Sequence, residues 1–132
     1  MKENVRFYKC KNCGNVIGLI HGNSENIRCC GEEMELLHAN STDAATEKHV
    51  PVYEVDGNEI VVRVGEVEHP MEEEHYIMWI AQVSENRTER VRLHPGQATE
   101  TRFPYIPGST LYAYCNKHNL WKKEIEWNKK DK

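Results

Sequence analysis

The sequence predicts an all-β protein in two parts: a small cysteine-rich metal module, then an antiparallel β-sandwich of immunoglobulin-like type. Three observations predict it. Four of the five cysteines, Cys10, Cys13, Cys29 and Cys30, fall within the first 30 residues. From residue 48 onward apolar side chains recur with a period of two, in about seven short runs separated by turn residues. No long run carries the three-to-four spacing of a helix.

Residues 1–36 hold few large apolar side chains, Phe7, Tyr8, Val16, Ile17 and Ile27 among them. A core that small rarely holds a fold unaided, and modules of this size normally need a metal or crosslinks. Residues 37–47, running through Asn40-Ser41-Thr42-Asp43, are small and polar and read as a linker with room for one helical turn. The boundary is placed near residue 37, and residues 48–132 form the second domain.

In that domain Val50–Val55 and Glu59–Val64 alternate on either side of Asp56-Gly57-Asn58, whose residues accept positive φ. His75–Val83 is a longer run rich in branched and aromatic residues. Ser84–Arg87 turns the chain into Glu89–Leu93, which His94-Pro95-Gly96 stops. Ala98–Phe103, Thr110–Cys115 and Trp121–Trp127 complete the strands, and the Lys-rich end from Asn128 reads as a solvated tail.

Lys plus Arg number 17 and Asp plus Glu 21, a net charge of −4. Nucleic acid is gripped by clustered positive charge, so it is not an expected partner. No stretch approaches the ~20 apolar residues that span a bilayer, and Met1–Asn12 has no apolar signal-peptide core. The chain is therefore expected in the cytoplasm, with reduced thiols. An odd number of cysteines fits disulfides poorly and turns attention to metals.

Cys10-Lys11-Asn12-Cys13-Gly14 has the form of a metal-binding knuckle. Two intervening residues let both thiolates reach one ion, and the glycine relieves the turn. Cys29-Cys30-Gly31 supplies a second half. Adjacent cysteines in an extended chain point to opposite sides, so sharing one ion requires a bent backbone and a distorted tetrahedron. Thiolate tetrahedra bind zinc and iron alike, and the spacing does not choose between them.

Cys115-Asn116-Lys117-His118 is a second ligand-like pair, at the end of a strand. His69 and His75 flank the acidic segment Met71–Glu74, and His49 precedes the first strand. All lie at strand ends or in loops, where sites on sandwiches are assembled. The opposing reading is a buried free cysteine and four unrelated surface histidines. Blue-copper sites also use histidines and a cysteine, but with a methionine close after the cysteine, and no methionine follows Cys115. His21, His38 and His94 have no companions.

Taken in order, these segments resemble desulfoferrodoxin, the two-iron form of superoxide reductase. Cys10–Gly14 with Cys29–Gly31 resembles its desulforedoxin-like module. Glu47-Lys48-His49-Val50-Pro51, His69-Pro70-Met71, His75-Tyr76-Ile77 and Cys115-Asn116-x-His118-x-Leu120-Trp121 resemble its catalytic segments. The resemblance implies two mononuclear irons per chain, one held by Cys10, Cys13, Cys29 and Cys30. The other is held by His49, His69, His75 and His118 in a plane, with Cys115 axial. It further implies a homodimer, reduction of superoxide to hydrogen peroxide, and re-reduction by a rubredoxin-like donor.

Four neutral imidazoles and one thiolate around ferrous iron leave a single net positive charge and an open sixth position. Superoxide is an anion and the chain is negative overall, so a local positive field is needed; Lys48, beside His49, is the candidate. For Glu47 the resemblance implies a sixth ligand to the oxidised iron. Two rival classes remain: a non-catalytic iron electron carrier, and a zinc-stabilised interaction module.

Overall fold

The computed structural model describes residues 5–23, 26–41, 46–65 and 69–127. Part of the expected linker (residues 42–45) and the Lys-rich end lie outside them. The chain divides into two compact units, residues 1–38 and 39–132.

In the first unit β1 (Arg6–Lys9) lies between β2 (Val16–Leu19) and β5 (Glu35–Leu36), all antiparallel. β3 (Arg28–Cys29) and β4 (Glu32–Glu33) form a separate hairpin. Strands this short are invisible to periodicity. Among the described residues of this unit the buried apolar side chains are Val5, Phe7, Tyr8 and Cys10, while Ile20 is 81% exposed.

Within its described residues the second unit has one helical turn, α1 (Thr46–His49). Seven strands follow: β6 (Pro51–Asp56), β7 (Glu59–Val64), β8 (Ile77–Val83), β9 (Thr88–Arg92), β10 (Glu100–Pro104), β11 (Thr110–Cys115) and β12 (Asn119–Glu124). They form two antiparallel sheets, ordered β10-β7-β6 and β12-β11-β8-β9, as expected of the sandwich. The β6–β7 loop is Gly57-Asn58, since Asp56 pairs with Glu59. Gly57 has φ 65° and Asn58 is not left-handed, the II′ pattern that suits strand twist.

Ile60, Val62 and Val64 of β7 and Phe103 of β10 share one core with Ile80 of β8 and Leu111, Ala113 and Cys115 of β11. Each large side chain buried there contributes about 1.5–3 kcal/mol. β8 and β11 are buried along nearly their whole length, which is why their sequences run apolar without alternating. The three-stranded sheet instead turns charge outward: Arg63 lies between Glu54 and Glu100, and Arg102 between Asp56 and Glu59. These exposed pairs contribute little stability.

Three departures from the expected boundaries bear on the site. β8 begins at Ile77, leaving His75 in the preceding loop. β12 begins at Asn119 rather than Trp121 and ends at Glu124. Cys115 pairs with Asn119, so residues 116–118 are the hairpin turn itself, with Asn119 left-handed at φ 63°. Upstream of α1, Asn40 is docked on β12. Its N–H donates to Leu120 O (3.0 Å), and its side-chain amide bonds both Lys122 N (2.9 Å) and Lys122 O (3.3 Å).

Candidate metal centres

The thiols of Cys10, Cys13, Cys29 and Cys30 lie within 4.8 Å of one another. Cys10 directly follows β1, and the knuckle closes through Gly14 N–H to Cys10 O at 2.9 Å, with Gly14 at φ 81°. The adjacent cysteines share the site because of a tight turn. Arg28 pairs with Glu33 and Cys29 with Glu32, leaving Cys30-Gly31 as a two-residue loop at φ 54° and 77°. Both central residues are left-handed, the I′ hairpin turn, unusual for a non-glycine residue such as Cys30. That bend is what the vicinal pair requires.

Cys13 Sγ and Cys29 Sγ are 3.5 Å apart, and Cys29 Sγ and Cys30 Sγ 4.0 Å. Thiolates at about 2.3 Å from a central ion would be about 3.8 Å apart, so these edges fit one tetrahedral metal. Titration behaviour fits as well. The Cys13 backbone N–H, and then that of Asn12, pulls the Cys10 thiol down to about 6. Hydrogen bonding to Cys13 and Cys10 pushes Cys30 up to about 12, and Cys29 is raised for the same reason. Four thiols this close cannot all ionise without a cation among them.

The second group brings His49, His69, His75, His118 and Cys115 together, again with ligand atoms within 4.8 Å. His49 ends α1, His69 and His75 lie in the β7–β8 connection, Cys115 ends β11, and His118 sits in the β11–β12 turn. Around the site each ring is roughly perpendicular to the next. His49–His69, His69–His75, His75–His118 and His118–His49 have centroids 4.5, 4.8, 5.0 and 4.8 Å apart, at 79°, 81°, 76° and 90°. His49 and His75 lie across the diagonal, 6.5 Å apart and 27° from parallel. The four imidazoles thus form a square.

Nitrogens point inward. His69 Nε2 and His118 Nδ1 each lie 3.0 Å from His49 Nε2. The ring of His69 donates Nδ1–H to Pro70 O at 2.6 Å, since a carbonyl can only accept, leaving Nε2 as the bare lone pair. His75 Nε2 is the one buried side-chain nitrogen or oxygen without a partner among the described residues. A buried orphan acceptor beside three converging nitrogens fits a metal position.

Cys115 Sγ closes one side, 3.4 Å from His69 Nε2 and 3.8 Å from His118 Nδ1. Burial lowers His69 to about 4 and also lowers His75, keeping these imidazoles in the neutral, ligating form. Burial raises the Cys115 thiol, opposed by the backbone N–H groups of Lys117 and His118, which favour the thiolate. Trp121, fully buried, stacks on His49.

Lys48 is exposed and lines an open cleft of about 550 Å³ with His69, Met71, Glu72, Gly96 and Gln97. Glu47 precedes it on α1, and its side chain lies outside the described residues. His21, His38 and His94 are exposed and belong to neither group. Sequence reasoning missed one participant, Asn116. Its amide bonds Tyr76 N at 2.9 Å and Glu74 O at 3.0 Å, on either side of His75. The available signal was an amide next to a ligand at a strand end.

Comparison with known proteins agrees with this geometry. Residues 41–124 match the family described as Desulfoferrodoxin, and residues 2–37 match Desulfoferrodoxin, N-terminal domain. The chain is 46% identical over 125 residues to the desulfoferrodoxin of Syntrophotalea carbinolica, covering 94% of this chain and 99% of that protein. It is 36% identical over 107 residues to the superoxide reductase of Pyrococcus horikoshii, covering 65% of this chain and 92% of that one. The crystal structure of the Treponema pallidum superoxide reductase superposes with a TM-score of 0.73 at 28% identity, covering 92% and 100% of the two chains. With both parts matched and both ligand groups assembled, the chain belongs to the desulfoferrodoxin family.

Proposed function

We propose that this chain is a superoxide reductase, an oxidoreductase that takes superoxide to hydrogen peroxide with one electron and two protons. The observation that carries this is the square of four imidazoles with the Cys115 thiol on one side. His49, His69, His75, His118 and Cys115 would hold an iron there, which would supply the one-electron reducing chemistry. A second iron at Cys10, Cys13, Cys29 and Cys30 completes two mononuclear sites per chain.

The protein's own groups prepare the site for an anion. Neutral imidazoles leave the metal's charge reduced only by the one thiolate of Cys115. Lys48, on the rim of the cleft beside His69, adds positive charge where superoxide enters. Glu47 is assigned as a sixth ligand of the oxidised iron, on the strength of its place before Lys48 and His49. The cleft also favours catalysis over bare electron carriage, which needs no path for a small anion.

Each turnover leaves the site oxidised, so an external one-electron donor of rubredoxin type is part of this reading. So are the division into a four-cysteine module (1–36), a linker (37–47) and a catalytic domain (48–132), and a homodimer. The exposed Ile17, Ile20 and Leu36 support an apolar contact between two copies. Five free thiols, all placed as ligands, support a reducing compartment such as the cytoplasm.

Pulse radiolysis of the reduced protein tests the assignment. One hydrogen peroxide formed per superoxide consumed, with no dioxygen released, is the expected result. Dioxygen release, or no reaction with superoxide, overturns it.

A further inference from the structure

We propose that Asn116 is a positioning residue that sets the aim of His75 at the iron. β11 and β8 pair in regular register until Tyr114 opposite Trp79; a bulge then places Cys115 opposite Ile77, leaving Met78 as the extra residue. Beyond that point the chain carrying His75 is no longer in a strand, yet His75 must hold its imidazole in place. Its Nε2 is buried and has no protein partner, so nothing on the ring's inner edge fixes it.

Asn116 supplies the missing rungs. Its backbone N–H donates to Tyr76 O at 3.2 Å, continuing the ladder by one residue. Its side chain then does what a backbone carbonyl and amide would do in a longer strand. Oδ1 accepts the Tyr76 N–H at 2.9 Å, and Nδ2 donates to Glu74 O at 3.0 Å. The two side-chain bonds grip the peptide units before and after His75, and the backbone bond holds the unit that follows. The same residue follows Cys115 directly, so the sulfur of Cys115 and the ring of His75 are tied to each other through a single residue. The His75 N–H and carbonyl are themselves paired with Glu72, each at 3.0 Å, and the amide of Asn116 holds the same two peptide units from the opposite side, so that together they resist a rotation that would swing Nε2 away from the other three nitrogens. Groups that orient a ligand in this way typically change metal affinity 10–100-fold when removed.

The inference rests on the histidine–cysteine site holding iron, which the iron content of the wild-type protein reports independently. The test uses the full-length, iron-loaded protein and two variants. N116D keeps an acceptor for the Tyr76 N–H but turns an oxygen toward Glu74 O; N116A loses both bonds. Transfer of iron to a ferrous chelator and the ferric visible spectrum are the readouts, with the four-cysteine absorption as internal reference. N116A is expected to lose iron from the histidine–cysteine site with an affinity about 10–100-fold weaker and to shift its thiolate band, the reference band staying put. N116D is expected to lie between N116A and wild type. Wild-type affinity and spectrum in N116A overturn the proposal, even with a lowered melting temperature, because they mark Asn116 as merely structural. If N116A does not fold, wild-type affinity and band in N116D overturn it in the same way.

Discussion

The indole of Trp121 lies face to face with the imidazole of His49, ring centroids 4.8 Å apart and planes 24° from parallel. The same indole donates its Nε1–H to the backbone oxygen of His118 at 2.9 Å. One fully buried side chain thus holds two neighbouring corners of the histidine square. Trp121→Phe keeps a ring against His49 but leaves the half-buried His118 carbonyl short of its donor, and is expected to cost about 0.5–1.5 kcal/mol for the bond. Trp121→Ala also opens a cavity and is expected to cost about 3–5 kcal/mol. Urea unfolding of the two variants checks the ranking.

Cys115 is the one sulfur in its group and is wholly buried. Cys115→Ser is expected to abolish the visible thiolate absorption of the histidine site while leaving that of the four-cysteine site. A visible spectrum of the oxidised variant, with iron content measured alongside, decides it.

Lys48 carries its charge on the cleft rim. Lys48→Ile is expected to slow capture of superoxide about tenfold and to flatten the dependence of the rate on ionic strength. Pulse radiolysis at two salt concentrations measures both; unchanged kinetics remove Lys48 from the mechanism.

Glu47 is proposed as a ligand of the oxidised state alone. Glu47→Ala is expected to leave the encounter with superoxide at the wild-type rate and to alter the resting ferric spectrum. An identical ferric spectrum argues against coordination by this carboxylate.

The first unit has few buried apolar side chains, with Cys30 held left-handed in its turn. Removing its metal is expected to unfold this unit while the sandwich persists. Hydrogen exchange before and after chelation is the measurement: protection lost from residues 6–36 and retained in β7, β8 and β11 is the expected pattern.

Much of this was legible because the relevant signals are local. Alternation marked β6 and β7, and Gly57 marked the turn between them. The C-x-x-C-G knuckle and the vicinal pair marked the first metal group by spacing. The histidine square was legible only as five companions, since no spacing tells which ring faces which. The limits of β12 were misplaced because Asn119, a poor strand residue, takes a left-handed conformation that lets pairing resume two residues early. The left-handed Cys30 was demanded by the adjacent cysteines, but the I′ turn that supplies it was not visible. The contribution of Asn116 was hidden because it joins positions 40 apart in the chain through a side-chain amide.

Cys115 belongs at once to the apolar core, with Leu111, Ala113 and Ile80, and to the ligand set. The sulfur has no separate scaffold, so its distance from the histidine plane is dictated by how tightly the two sheets interlock. A methyl group added or removed at Ile80 or Leu111, neither of them a ligand, would reach the ligand set through the packing around Cys115. The hydrophobic core and the metal centre therefore share a residue, and a substitution in one is a perturbation of the other.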